Sequence, residues 1–149
     1  MNFIAHRGNL TGPGNKDENK FDYLNHALNS AWGIEVDVQS HNDMLYLGHD
    51  EPQEQVGPKI IRLLQKKNVF CHAKDIASVR PLLQMGAEVF FHTTEKFVFT
   101  SKGLMWCYPG VYPTDITRAI WTDFHWSPLN INQKLHCLAI CGDDQDKYK

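Results

Sequence analysis

Apolar positions along this chain switch between a period of two and a period of 3.6. Phe3 to His6 is a short apolar run that reads as a strand, and a loop rich in Gly, Pro and Asn carries the chain to Lys16. Over residues 17–32 the apolar side chains fall at Phe21, Leu24, Ala27, Leu28 and Ala31, a helical spacing. Ile34, Val36 and Val38 then alternate with Glu35, Asp37 and Gln39. This predicts a strand that returns through His41-Asn42-Asp43 as a hairpin over 44–49. Gly57-Pro58 opens a short helix over 59–68, residues 69–75 form the next strand, 75–86 a helix closed by Gly86, and 88–92 a further strand. Strands alternating with helices predict a parallel sheet.

Beyond His92 the helical spacing stops. Residues 97–110, 118–124 and 136–144 are strand-like runs separated by loops, and only Pro128 to Leu135 offers another turn or two of helix. A complete (β/α)₈ barrel takes about 250 residues, against 149 in this chain. The expected fold is therefore α/β: a shortened TIM-barrel-like (β/α) barrel with most helices of the C-terminal half missing, in one domain over 1–149. A doubly wound sheet fits less well, because it needs late helices on both faces.

Composition narrows the functional classes. With 42% hydrophobic residues, four Trp and eight Phe, the chain has the apolar surface for a core. Fifteen Lys and Arg against 17 Asp and Glu give a net charge of −2, and no basic run exceeds Lys66-Lys67, so the footprint of a nucleic-acid binder is missing. No stretch approaches the ~18 apolar residues of a membrane span, and "MNFIAH" meets His6 and Arg7 too early for a signal-peptide core, so the expected location is cytoplasmic. Cys71, Cys107, Cys137 and Cys141 lack CxxC pairing and read as buried thiols.

The polar residues at strand ends carry the candidate chemistry. The first strand ends in His6-Arg7-Gly8, the second carries Glu35 and Asp37, the hairpin ends in Gly48-His49-Asp50, and the strand after it ends in His72-Ala73-Lys74. Glu35 and Asp37, two apart in a strand, face the same side about 7 Å apart. Desolvated and unpaired they would cost several kcal/mol, which an oxygen-preferring cation such as Mg²⁺ or Ca²⁺ removes; a polar strand face in water is the other reading.

His6-Arg7-Gly8, Glu18-Asn19, Glu35-x-Asp37 and Gly48-His49-Asp50, in this order, resemble the glycerophosphodiester phosphodiesterase family over the first half of the chain. The resemblance implies a TIM-barrel fold and cleavage of a small phosphodiester, a hydrolase activity assisted by a divalent metal. It also implies that His6 and His49 act as general acid and base, Glu35 and Asp37 hold the metal, and Arg7 holds a phosphate oxygen. Imidazole, with an unperturbed pKa near 6.5, suits two proton transfers near neutrality. Arg7 offers a bidentate fork, and a salt bridge to Glu18 is its structural alternative.

Two departures from the family pattern change the expectation. His72 stands where the family has a third acidic ligand, two residues before the retained Lys74; as a ligand it would shift preference toward Mn²⁺, Fe²⁺ or Zn²⁺, and otherwise it only lines the pocket. The loop after Asp50 is short, and no lobe for a bulky substrate is recognisable. Trp106 and Tyr108, two apart before Pro109-Gly110, either flank the substrate or pack in the core. Asp143 and Asp144 end the last strand-like run and line or cap the mouth, and His92 ends its strand level with His72. His26, His41, His125 and His136 read as surface residues. A catalytically weakened, phosphate- or metabolite-binding barrel with a regulatory role is the alternative function. The apolar flank left by the missing helices predicts self-association into a homo-oligomer.

Overall fold

The computed structural model describes residues 1–113, 118–126 and 137–149. Ten strands form one mixed sheet: β1 (Phe3–His6), β2 (Gly33–His41), β3 (Met44–Leu47), β4 (Glu54–Gln55), β5 (Val69–Ala73), β6 (Glu88–Phe90), β7 (Phe97–Phe99), β8 (Met105–Cys107), β9 (Ala119–Asp123) and β10 (Ala139–Gly142). Among the described residues there are three α-helices, α1 (Phe21–Ser30), α2 (Pro58–Leu64) and α3 (Ile76–Gln84), and a closing 3₁₀ turn, Gln145–Tyr148.

The expected helix-rich, TIM-like barrel is overturned. The three helices are short, and β3, β4 and β7 join the sheet through antiparallel pairings. Parallel pairing runs through β6, β5, β2, β1, β10, β9 and β8. The physical reason lies in the connections. Asn42 and Asp43 both adopt positive φ, the conformation of a tight two-residue hairpin turn, so β2 folds back on itself as β3 instead of feeding a helix. The expected helix over 128–135 lies outside the described residues, as does His136.

Alternate side chains build two faces. Phe3, Ala5, Ile34, Val36 and Val38 pack outward against Leu24, Ala27, Leu63 and Leu82 of the helices. Ile4, Phe70, Phe90, Trp106, Ile120 and Ala139 meet on the other face. Phe90 of β6 stacks on Trp106 of β8 at 4.1 Å although these strands are not hydrogen-bonded to each other, so the sheet curls until its two parallel margins touch through side chains. The margin of β6 is satisfied by the loop after β7: Ser101 N–H donates to Val89 O, and Thr100 Oγ1 donates to Glu88 Oε1.

Helix α1 uses the expected apolar positions but starts at Phe21 instead of Asp17. Of the residues before it, Glu18 reaches Arg7 and Asn9, and Asn19, held at φ 63°, reaches Asp37. All four cysteines are unpaired, and burial pushes the Cys107 thiol up to about 12. Among the described residues, no helix is long and apolar enough to cross a membrane.

Candidate active site

At the C-terminal ends of the parallel strands the inward positions turn from apolar to polar. His6, Arg7, Glu35, His49, His72 and Cys141 line one pocket of ≈190 Å³, together with Phe90, His92, Trp106, Tyr108, Phe124 and Trp126. The inward register that buries Ile4 below His6 and Phe70 below His72 brings Glu35, paired with both His6 and Phe70, to the same face, because successive residues alternate faces.

Arg7 sits at φ 54° and Gly8 at φ 87°. A non-glycine residue in this region costs roughly 1–3 kcal/mol and persists where its surroundings over-determine it. Here they do: Arg7 N–H donates to Glu35 O and to Glu35 Oε2, and Arg7 Nη1 donates to Glu18 Oε2 at 3.4 Å. Arg7 Nε lies 3.0 Å from Asp37 Oδ2, an ion pair in which the N–H is not directed at the oxygen. Arg7 thus makes the salt bridge to Glu18 that its structural alternative expects, and it borders the pocket. Gly8 is needed as glycine twice over, because a Cβ there would press on the Tyr23 ring at positive φ.

Glu35 and Asp37 are buried, with His72 Nδ1 at 3.6 Å from Glu35 Oε1 and 3.2 Å from Asp37 Oδ1. Donor atoms of the three lie within 4.8 Å of one another. Asn19 clamps Asp37 from both sides, donating Nδ2 to Oδ2 at 2.9 Å and accepting the Asp37 N–H at 2.9 Å. Lys74 Nζ stands 3.7 Å from Oδ1. Hydrogen bonding and charge from His72 and Arg7 outweigh burial and hold the Asp37 carboxyl well below the usual carboxylate range. The two carboxylates in turn outweigh burial and raise His72. Asp37 Oδ1 nonetheless has no directed hydrogen bond. A buried ionised oxygen with free lone pairs, beside Glu35 and an imidazole nitrogen, is a fitting donor set for a divalent cation.

His6 Nδ1 lies 2.8 Å from Asp143 Oδ1, and its Nε2 lies 3.9 Å from Glu35 Oε2. Asp143 also accepts from Asn9 Nδ2 at 2.9 Å, and hydrogen bonding from His6 and Asn9 overcomes burial to lower its pKa. The sequence placed Asp143 at the mouth without a role; its pairing with His6 follows from the parallel pairing of β1 with β10, 137 residues apart. Asn9 and Asn19 were likewise missed as clamps. An Asn in a loop carries no signal until its partner is known.

His49 borders the pocket with Nδ1 2.8 Å from Asp50 Oδ1 and stays half-exposed. Gly48 directs it there: its φ is 142°, and a Cβ would run into the Glu51 carbonyl oxygen. Trp106 is buried against Phe70 and Phe90, as its core reading expects, and is also among the lining residues of the pocket. Tyr108 stands edge-on to His92 at the mouth. His92 stacks on His72 at 4.8 Å and 4°, and burial plus the neighbouring cations push it down to about 4. His26, His41 and His125 are exposed, as expected. Compared with known proteins, the chain matches no family model, no curated protein and no solved structure.

Proposed function

We propose that this chain is a divalent-cation-dependent phosphodiester hydrolase resembling the glycerophosphodiester phosphodiesterases. The observation that carries the reading is the convergence of His6, Arg7, Glu35, His49 and His72 on one pocket from three strands and a hairpin. Glu35, Asp37 and His72 would hold the cation, which when bound neutralises the phosphate and polarises it toward attack.

The protein's own groups account for the proton transfers. The Asp143 carboxylate accepts the Nδ1 proton of His6, a tautomer assigned from the hydrogen bond, so Nε2 carries the lone pair that takes a proton from water. The water oxygen bonds to phosphorus, and the P–O bond to the alcohol breaks. His49 gives its proton to the departing oxygen, yielding a phosphate monoester and a free alcohol. The imidazolium formed at His6 lies between Asp143 and Glu35, which stabilise its charge. Arg7 borders the pocket, where its guanidinium would hold a phosphate oxygen, and Lys74 offsets the charge of Asp37.

One observation favours the alternative of a phosphate- or metabolite-binding pocket that regulates without cleaving: Arg7 and Lys74 already stand at Asp37 and balance its charge. The two readings separate on bis(p-nitrophenyl) phosphate and glycerophosphodiesters assayed with Mn²⁺, Mg²⁺, Ca²⁺ or EDTA. Hydrolysis that needs the metal is expected. Phosphate binding without turnover of any ester would leave the binding reading in its place.

A further inference from the structure

We infer that the alcohol released from the phosphodiester is an uncharged, flat aromatic group that packs at the pocket mouth against Tyr108 and Trp126. The inference rests on the hydrolase reading above and adds the substrate class. Its starting point is the asymmetry of the pocket. Among the described lining residues, Arg7 and Glu35 lie with His6, His49 and His72 at the ends of β1, β2, β5 and the hairpin, whereas the rest of the wall is largely aromatic: Phe90, His92, Trp106, Tyr108, Phe124 and Trp126.

Three alcohol classes can be weighed against that wall. A polyol needs hydrogen-bonding partners. Among the described lining residues of the wall, the hydroxyls are those of Tyr108 and Thr122, Thr122 Oγ1 already donates to Cys107 O at 3.3 Å, and the partnerless His92 Nδ1 adds a single site for a polyol's several hydroxyls. An alcohol carrying an ammonium group needs converging ring faces or a free carboxylate. The inner rings lie nearly parallel, His72 on His92 at 4°, Phe90 on His72 at 9° and Trp106 on Phe90 at 18°, so each covers the face of its neighbour; Tyr108 stands at 89° to His92, and the lining carboxylate, Glu35, already accepts from Arg7 N–H. A flat neutral ring meets neither obstacle and extends a set of surfaces that already stack on one another.

The exposed members of the wall supply the surface. Trp126 stacks on Phe124 at 5.6 Å and 28° and is 60% exposed, while Tyr108 is 36% exposed. Phe124 in turn packs on His6 at 4.4 Å, so a ring lying against this pair sits beside the acid–base histidine. The ≈190 Å³ volume is below the range of about 300–1,000 Å³ typical of drug-sized ligands, which favours one ring and one phosphoryl group.

The test uses three methyl phosphodiesters with similar leaving alkoxides, the benzyl, 2,3-dihydroxypropyl and choline esters, assayed with Mn²⁺. The benzyl ester is expected to have a kcat/KM at least about tenfold above the other two. Trp126→Ala and Tyr108→Ala should each bring the benzyl-to-dihydroxypropyl ratio toward one, and a ratio is insensitive to the fraction of variant that folds. Preference for the polyol or choline ester overturns the inference while leaving the hydrolase reading intact, and so do ratios unchanged in both variants. If no ester is cleaved, calorimetric binding of benzyl phosphate, glycerol phosphate and phosphocholine decides. Tightest binding of benzyl phosphate, weakened by Trp126→Ala, keeps the ligand class and removes the hydrolase; equal binding of the three removes both.

Discussion

The two sides of the pocket are built on different physical terms. The side from β1, β2 and β5 is held by charge: its carboxylates have assigned partners, Glu18 with Arg7 and Asn9, Glu35 with Arg7 N–H, Asp37 with Asn19 and Lys74, Asp143 with His6. The side from β6, β8 and β9 is held by ring stacking. His72 and His92 mark the seam. Their rings lie parallel 4.8 Å apart, yet the one facing Glu35 and Asp37 is raised and the one facing Tyr108 is lowered. Side-chain type does not set the chemistry of a residue in this fold; the strand opposite it does.

The comparison breaks first at His6. If the charged side performs the proton transfers, His6→Ala lowers kcat by about 10²- to 10⁴-fold, whereas Phe124→Leu, which touches the same ring from the aromatic side, costs far less. Steady-state kinetics with saturating Mn²⁺ separates the two, and equal losses would show that the division is not functional. Asp37→Ala comes next. Removing one partner of a buried ionic cluster costs about 3–5 kcal/mol, so urea unfolding of the metal-free protein should show a loss of that order and calorimetry a weakened affinity for Mn²⁺. Since the Asp37 carboxyl is held below its ordinary value, its contribution is present above about pH 4 and is lost as pH falls through the folded value. The deficit of the variant should therefore shrink below pH 4.

Asp143→Asn sharpens the comparison from the late half of the chain. It keeps the shape but lets the amide donate to His6 Nδ1, which selects the wrong tautomer; a fall in kcat of about 10- to 10³-fold, with KM little changed, is expected. The smallest effect belongs to His92. Because its pKa is lowered to about 4, the unfolded chain takes up a proton near pH 6.5 that the folded chain refuses, so the group subtracts stability as pH falls from about 6.5 toward 4. His72, raised by its carboxylates, works in the opposite sense: its contribution is full below about pH 6.5 and fades as pH rises through the folded value. His92→Phe should remove the acid-side loss and leave the metal-free protein less sensitive to pH between 7 and 5, by about 1 kcal/mol once solvent screening of this half-buried ring is allowed for. Thermal melts at the two pH values measure it.

Much of the local structure was legible along the chain. The strand at Phe3–His6, the apolar face of α1, the hairpin through Asn42-Asp43 and the residues gathered at strand ends follow from periodicity and turn chemistry, because those forces act between neighbours. Strand ends also pointed to His6, Glu35, Asp37 and His72, since a carboxylate inside an apolar run has to be explained by something other than the core. The barrel expectation failed because periodicity reports which segments are strands and is blind to how they pair: β3, β4 and β7 have strand patterns that serve antiparallel partners equally well. What only the tertiary structure decided was the set of long-range partners. Asp143 reaches His6 because β10 lies beside β1, Asn19 leaves its predicted helix because Asp37 needs two hydrogen bonds, and Phe90 meets Trp106 because the sheet curls. Each of these depends on loop closure and sheet curvature, which no window of neighbouring residues encodes.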